Sequence, residues 1–171
     1  LLEKHPGWLL AFKDSETQKA LTERFSLEEK EYWHGQIAKL LFRELLPNDV
    51  QKSKMVADHL YNIQNDVEGC RLLLNAAITL SRTNSFTTAL TYYQKIFDDL
   101  SKIKSSEADT LFIETALKYS EIYSGRRDPE KARAIFLEAI AKAQRLGLRK
   151  ELSLIQTYLA FTYYCQSRYG R

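Results

Sequence analysis

The chain has 171 residues of which 44% are hydrophobic, enough for one domain with a core, and its few glycines and prolines (6 and 3) exclude collagen-like and low-complexity classes. No run approaches the roughly 18 apolar residues of a membrane span, and no basic start is followed by an apolar stretch and a small-residue cleavage site, so no membrane partner is expected. The net charge of +3 is uneven: residues 126–171 hold 10 Lys/Arg against 4 Asp/Glu, whereas residues 1–125 hold 15 against 18.

In chain order, residues 1–14, with His5, Pro6, Gly7 and Trp8, carry no firm period, and 1–25 reads as the tail of a preceding region containing a weak helix near 15–24. A capping box, Ser26 with Glu29, opens a helix over 27–46 whose apolar positions are Trp33, Ile37, Leu40, Leu41 and Leu45; Pro47 and Asn48 break it. Helices follow over 49–64 and 67–82, and residues 26–66 read as a helical hairpin leading into what comes next. Over 86–103, the apolar stripe is Phe86, Ala89, Leu90, Tyr93, Ile96, Phe97 and Leu100; another helix spans 108–124. Asp128 as N-cap, Pro129 at the first helical position, the stripe from Ala132 to Leu146 and Gly147 as the stop define 129–146, and a last helix covers 150–166. No strand is predicted. The fold class is all-α.

The segment Cys70–Ser101 lies over the segment Ile113–Gln144 with small and large positions in step. Ala77 corresponds to Ser120, Leu80 to Tyr123, Ala89 to Ala132 and Tyr93 to Phe136, so each half sets a small residue where helices approach and an aromatic one turn on. These residues resemble the tetratricopeptide repeat, which implies an α-α superhelix of helix hairpins with units at 67–104, 108–147 and 150–171, the last cut short after one helix. The chain departs from that family at Ile96, where alanine is usual, and at Asn84 and Arg127, where the turn glycine is usual. The spacing of 43 from Ala89 to Ala132 exceeds the family period of about 34, and a loop around Lys104–Ala108 is expected to absorb the difference. In the third unit, Leu159, Ala160 and Tyr163 repeat the first-helix pattern and Ser167–Gly170 is expected to turn. A solenoid unit buries its apolar face only against a neighbour, so the array is expected to continue in a longer protein. Ser26–Leu41 and Met55–Asp66, with Ala57 and His59, resemble the helices that lead into the repeat arms of large signal-transduction ATPases; no ATPase motif lies in the chain.

No phosphate loop, dinucleotide turn, nucleophile elbow or HExxH helix occurs, so no catalytic residue and no cofactor is assigned. His5, His34 and His59 stand in separate segments, giving no metal pattern, and His59 reads as a packing residue. Cys70 and Cys165 read as buried thiols in a reducing cytoplasm. Glu28, Glu29 and Glu31 favour a helix start, and Asp98 with Asp99 reads as a wet helix face. The aromatics Phe86, Tyr93, Phe97, Tyr123 and Phe136 lie at core spacing.

The resemblance implies a concave face lined by the first helix of each unit. Carried over by position, the partner-binding residues are Arg71, Leu74, Asn75, Ile78 and Arg82, then Glu114, Leu117, Lys118 and Glu121, then Leu154, Tyr158, Phe161 and Tyr164. Ile78 and Glu121 stand where a clamp for chaperone tails wants asparagine, so the expected partner is another protein or peptide segment. Self-association through the aromatic strip of the shortened third unit is a further expectation. The function that follows is a protein-interaction or sensor module of a cytoplasmic signalling or transcription-regulating protein. The alternative is a nucleic-acid-binding repeat using Arg126, Arg127, Arg133, Arg145, Arg149 and Lys150, a reading that the core spacing of the aromatics disfavours.

Overall fold

A computed structural model describes residues 2–4, 10–12, 16, 19–20, 23–43, 49–123 and 128–169. Its body is all-helical, with seven described helices: α1 (Leu27–Arg43), α2 (Val50–Tyr61), α3 (Val67–Arg82), α4 (Phe86–Leu100), α5 (Ser106–Ile122), α6 (Pro129–Leu146) and α7 (Arg149–Tyr169). The N-terminal stretch corrects the sequence reading, because it forms a two-stranded antiparallel hairpin, β1 (Leu2–Lys4) with β2 (Leu10–Phe12), in the register Leu2 to Phe12 and Lys4 to Leu10. A hairpin this short leaves too few residues per strand for a period to show. Of the weak helix expected near 15–24, residues 16, 19 and 20 are helical and 23–25 turn; the others lie outside the described residues, as do Leu45, Pro47, Asn48 and Arg127.

The helix ends follow their local chemistry. Ser26 and Glu29 close the capping box reciprocally, Ser26 N–H donating to Glu29 Oε2 (2.8 Å) and Glu29 N–H to Ser26 Oγ (3.2 Å). Asp49, Asp66 and Ser105 each accept from a backbone N–H three residues on, which satisfies one orphan donor at the start of α2, α3 and α5. Asp128 caps α6 ahead of Pro129, and Gly147 ends it in the left-handed region (φ 70°), its N–H returning to Ala143 and Gln144. Asn84 supplies the left-handed turn between α3 and α4 at φ 62°, which asparagine tolerates better than other non-glycine residues. The loop expected at 104–108 lies slightly earlier, at residues 101–105, since α5 already begins at Ser106. Nor do Ser167–Tyr169 turn, because α7 runs through to Tyr169.

Each helix packs against the next, and α1, α3, α5 and α7 also touch in succession, as do α2 and α4. Neighbours run antiparallel: Phe97 meets Phe112 (ring centroids 4.9 Å) while Tyr93 meets Tyr119 (6.2 Å), the order reversed along the two helices. Alternate helices run parallel, as the pairs Asp58–Tyr92 and Asn65–Asp99, each 34 residues apart, show. All eight residues of the aligned pairs Ala77/Ser120, Leu80/Tyr123, Ala89/Ala132 and Tyr93/Phe136 are buried, so the small and large positions do equal work in both units.

Three expectations about burial fail. Trp33, Ile37 and Leu40 are 51%, 39% and 60% exposed, since α1 stands at the edge of the array and buries only Ala38 and Leu41. Phe86 is 43% exposed because it opens α4, before that helix has met its neighbours. Asp99, read as wet, is fully buried; only Asp98 faces water.

Candidate functional site

The residues expected on the partner face come from α3, α5 and α7, which the fold brings side by side. On α3, Arg71, Asn75 and Arg82 are exposed and Ile78 is half-buried. Leu74 is a correction: it is 1% exposed and belongs to the core, because a helix flanked on both sides buries a wider stripe than one contact would need. On α5, Glu114 and Glu121 are exposed, Leu117 and Lys118 half-buried. On α7, Leu154, Phe161 and Tyr164 are exposed while Tyr158 is half-buried, its ring stacked on Phe136 at 6.4 Å.

Charge and apolar surface divide this face. Between α3 and α5 the Arg71 guanidinium lies 3.8 Å from the carboxylates of both Glu107 and Glu114, and Lys118 pairs with Glu121 at 2.7 Å. These pairs are exposed and screened, so they contribute little to stability and can exchange for a partner's charges. Between α5 and α7 the surface turns apolar, around a cavity of about 260 Å³ lined by Ser120, Tyr123, Phe136, Thr157, Tyr158 and Phe161. Phe136, fully buried on α6, forms part of the cavity wall while contributing to the core. Thr157, Tyr158 and Phe161 come from one side of α7 because residues three and four apart share a face. Leu154 and Tyr164 extend that same stripe along the helix.

Tyr123 is the polar element of this cavity. Its ring stacks on Tyr119 (5.4 Å), yet its buried hydroxyl finds no partner among the described residues. Burial raises its pKa, with Asp128 adding to the effect, so at neutral pH it is a neutral phenol able to donate. An apolar side chain that entered here and brought an acceptor would satisfy it. The sequence reading took Ser120, Tyr123 and Phe136 for core alone; the signal that could have marked Tyr123 is the change from Leu80 in the aligned unit to a residue with a hydroxyl to place.

Two of the six basic residues named for a nucleic-acid surface, Arg133 and Arg145, are engaged within the chain, while Arg149 and Lys150 are exposed. Arg133 pairs with Glu130 and Gln166 and lies over the Tyr163 ring (5.2 Å). Asp109, nearly buried, holds Lys142 (2.7 Å) and Arg145 together, and Lys142 also lies over Phe112 (4.8 Å). Arg126 and Arg127 lie outside the described residues.

Two further expectations resolve differently. Cys70 and Cys165 are free and buried, and burial pushes the Cys70 thiol up to about 12, far from a reactive thiolate. His34 and His59, in separate segments of sequence, come together, Nδ1 to Nδ1 at 2.8 Å. Among the described residues no group of three or more His, Cys, Asp or Glu is placed to hold a metal, and no helix is long and apolar enough to cross a membrane.

The chain is thus an all-α protein whose helices stack in sequence and whose alternate helices share an apolar and charged face. No family model matches it, and it matches no curated protein and no solved structure.

Proposed function

We propose that the chain is a tetratricopeptide-like interaction module that captures a protein or peptide segment on the face formed by α3, α5 and α7. The observation that carries this reading is the apolar cavity between α5 and α7, continued outward by Leu154, Phe161 and Tyr164, which are 43%, 47% and 53% exposed. A contiguous apolar strip bordered by charges is the form of a binding surface, with one or two aromatic anchors supplying most of the energy. Arg71, Asn75, Glu114 and Glu121 form its polar continuation toward α3. The superhelical arrangement, a setting in a cytoplasmic signalling or transcription-regulating protein and the absence of catalysis belong to the same proposal; the two buried free thiols suit a reducing compartment. Self-association is its homotypic version, with a second copy covering α7. The nucleic-acid alternative has less to stand on, because Arg133 and Arg145 of its basic set are already paired, leaving Arg149 and Lys150 as its exposed members among the described residues.

The test is selection from a displayed random-peptide library, followed by titration of a selected peptide. Phe161→Asp is expected to weaken binding by about tenfold or more, the loss of ~1.4 kcal/mol or more that an anchor carries, with the melting temperature unchanged. Binding that survives Phe161→Asp, Leu154→Asp and Arg71→Glu alike would place the site elsewhere and end this reading.

A further inference from the structure

We propose that His34 and His59 form a proton-operated latch between α1 and α2, closed while at most one extra proton resides on the pair and opened by a second.

The geometry sets the rule. The two Nδ1 atoms stand 2.8 Å apart, a hydrogen-bond distance that accommodates one proton between them, with either ring as donor. In the neutral pair one ring carries its proton at Nδ1 and donates; the other carries its proton at Nε2 and accepts. A first added proton goes to the free Nε2 of the donor ring and leaves the shared bond in place, now strengthened by charge. The second has only the accepting Nδ1 to bind. Both atoms of the bond would then carry hydrogen, and two cationic rings with centroids at 5.0 Å would face each other. The rings must part, and the helices with them.

The surroundings compensate the second proton only in part. On α2, Asp58 adjoins His59, but its carboxylate is held by Lys54 (2.9 Å) and by the Tyr92 hydroxyl from α4 (2.7 Å). On α3, Glu68 is engaged by Lys39 of α1 (2.6 Å). Along α1, one turn before His34, Lys30 and Glu31 bring one charge of each sign. Burial, then the charge of His34, lowers the pKa of His59 against a smaller opposing effect of Asp58, in keeping with a pair that resists full protonation. The sign follows for the second proton: well below the ordinary imidazole value the unfolded chain carries both added protons while the folded pair carries one, so the contribution of the pair is kept while one is bound and is lost as pH falls further.

Apart from this contact, α1 is held by two buried side chains, Ala38 and Leu41, by Phe42 packed partly against the core and by the exposed Lys39–Glu68 pair, and it carries Trp33 on the surface beside His34. Acidification is therefore expected to release α1 while α3 to α6, with their larger core, stay folded. The experiment is amide hydrogen exchange on the whole chain, with α5 as internal reference, between about pH 7.5 and about pH 5, which bracket the imidazole range. The opening constant of α1 relative to α5 is expected to rise toward roughly tenfold per pH unit for each proton taken up on opening. His34→Gln and His59→Gln are each expected to flatten that rise, since neither leaves two imidazoles face to face. The His59 imidazole resonances of the unaltered chain give a second reading: their titration is displaced to lower pH, and the displacement shrinks in His34→Gln. A ratio of α1 to α5 that does not respond to pH, a response that persists in both variants, or a His59 titration unmoved by His34→Gln would overturn the latch.

Discussion

The side-chain amide of Asn65, in the turn between α2 and α3, donates to the carboxylate of Asp99 near the end of α4 at 2.7 Å, and a joint of the same kind recurs in the next unit with donor and acceptor exchanged. There Lys142, 43 positions after Asp99, donates to Asp109, which stands in the register of Asp66, one residue beyond Asn65. The neighbours change sign together: Lys95 beside Asp99 becomes Glu138 beside Lys142. In both units a buried polar bond ties the end of the second helix to the region where the first begins, and swapping both partners keeps the bond while inverting its polarity. This joint supports the repeat from polar chemistry, independently of the apolar positions that first suggested it.

Breaking the joint in the first unit is expected to be costly. Asp99 accepts from Asn65 and pairs with Lys95 while fully buried, so Asp99→Ala strands an amide and an ammonium and should lower stability by about 3 kcal/mol, the loss typical when one partner of a buried pair is removed. Asp98→Ala, exposed and bonded to Gln94, should change it by less than about 0.5 kcal/mol. Urea titrations of both variants check the contrast.

Gly69 tests the same corner from the other side. A Cβ there would stand 2.9 Å from Asn65 Oδ1 and 3.1 Å from Asn65 Cβ. Alanine's better helix propensity is worth up to about 1 kcal/mol, yet the displaced Asn65 would lose its grip on Asp99, so Gly69→Ala is expected to destabilise by a net ~1–2 kcal/mol. A melting temperature that rises would show that Asn65 can step aside.

Ala132 sits fully buried at the close approach that the second unit needs. Ala132→Trp overpacks that contact and should cost ~1–3 kcal/mol, read as a lower denaturant midpoint. An unchanged midpoint would count against the register that equates Ala132 with Ala89.

Asp109 should leave a mark on acid unfolding. Burial pushes its pKa up, but the hydrogen bonds from Lys142 and Arg145 outweigh burial and hold the carboxyl below its ordinary value. Its contribution is thus present above the usual carboxylate range and disappears as pH falls through the lowered folded value. Asp109→Asn should be less stable at neutral pH and flatten the stability profile below about pH 4. Denaturant titrations across that range decide it.

Much of the helical body was legible in the sequence because helix ends are set by contacts within four residues. Ser26 with Glu29, Asp128 with Pro129, and Gly147 are local devices, and each acts where the pattern put it. The candidate site was legible in part. Phe161 and Tyr164, named from the first-helix positions that the resemblance implies, are exposed, but Leu74, named in the same way on α3, is core. Spacing on one helix tells which residues share a face; how wide a face is covered depends on how many helices flank it. Asp99 shows the same limit for charge, since nothing near it in sequence announces that Asn65 waits 34 residues earlier.

By itself, then, the sequence determined an all-helical body, the ends of most of its helices and the pairing of small with large positions, all of which follow from forces acting over a turn or two. Only the tertiary structure decided that Asp99 and Asp109 are buried joints, that His34 meets His59, that Tyr123 and Phe136 line a cavity, and that α1 leaves Trp33 in water. The burial of a polar group requires a partner, and a partner distant in the chain becomes visible only once the helices have been stacked.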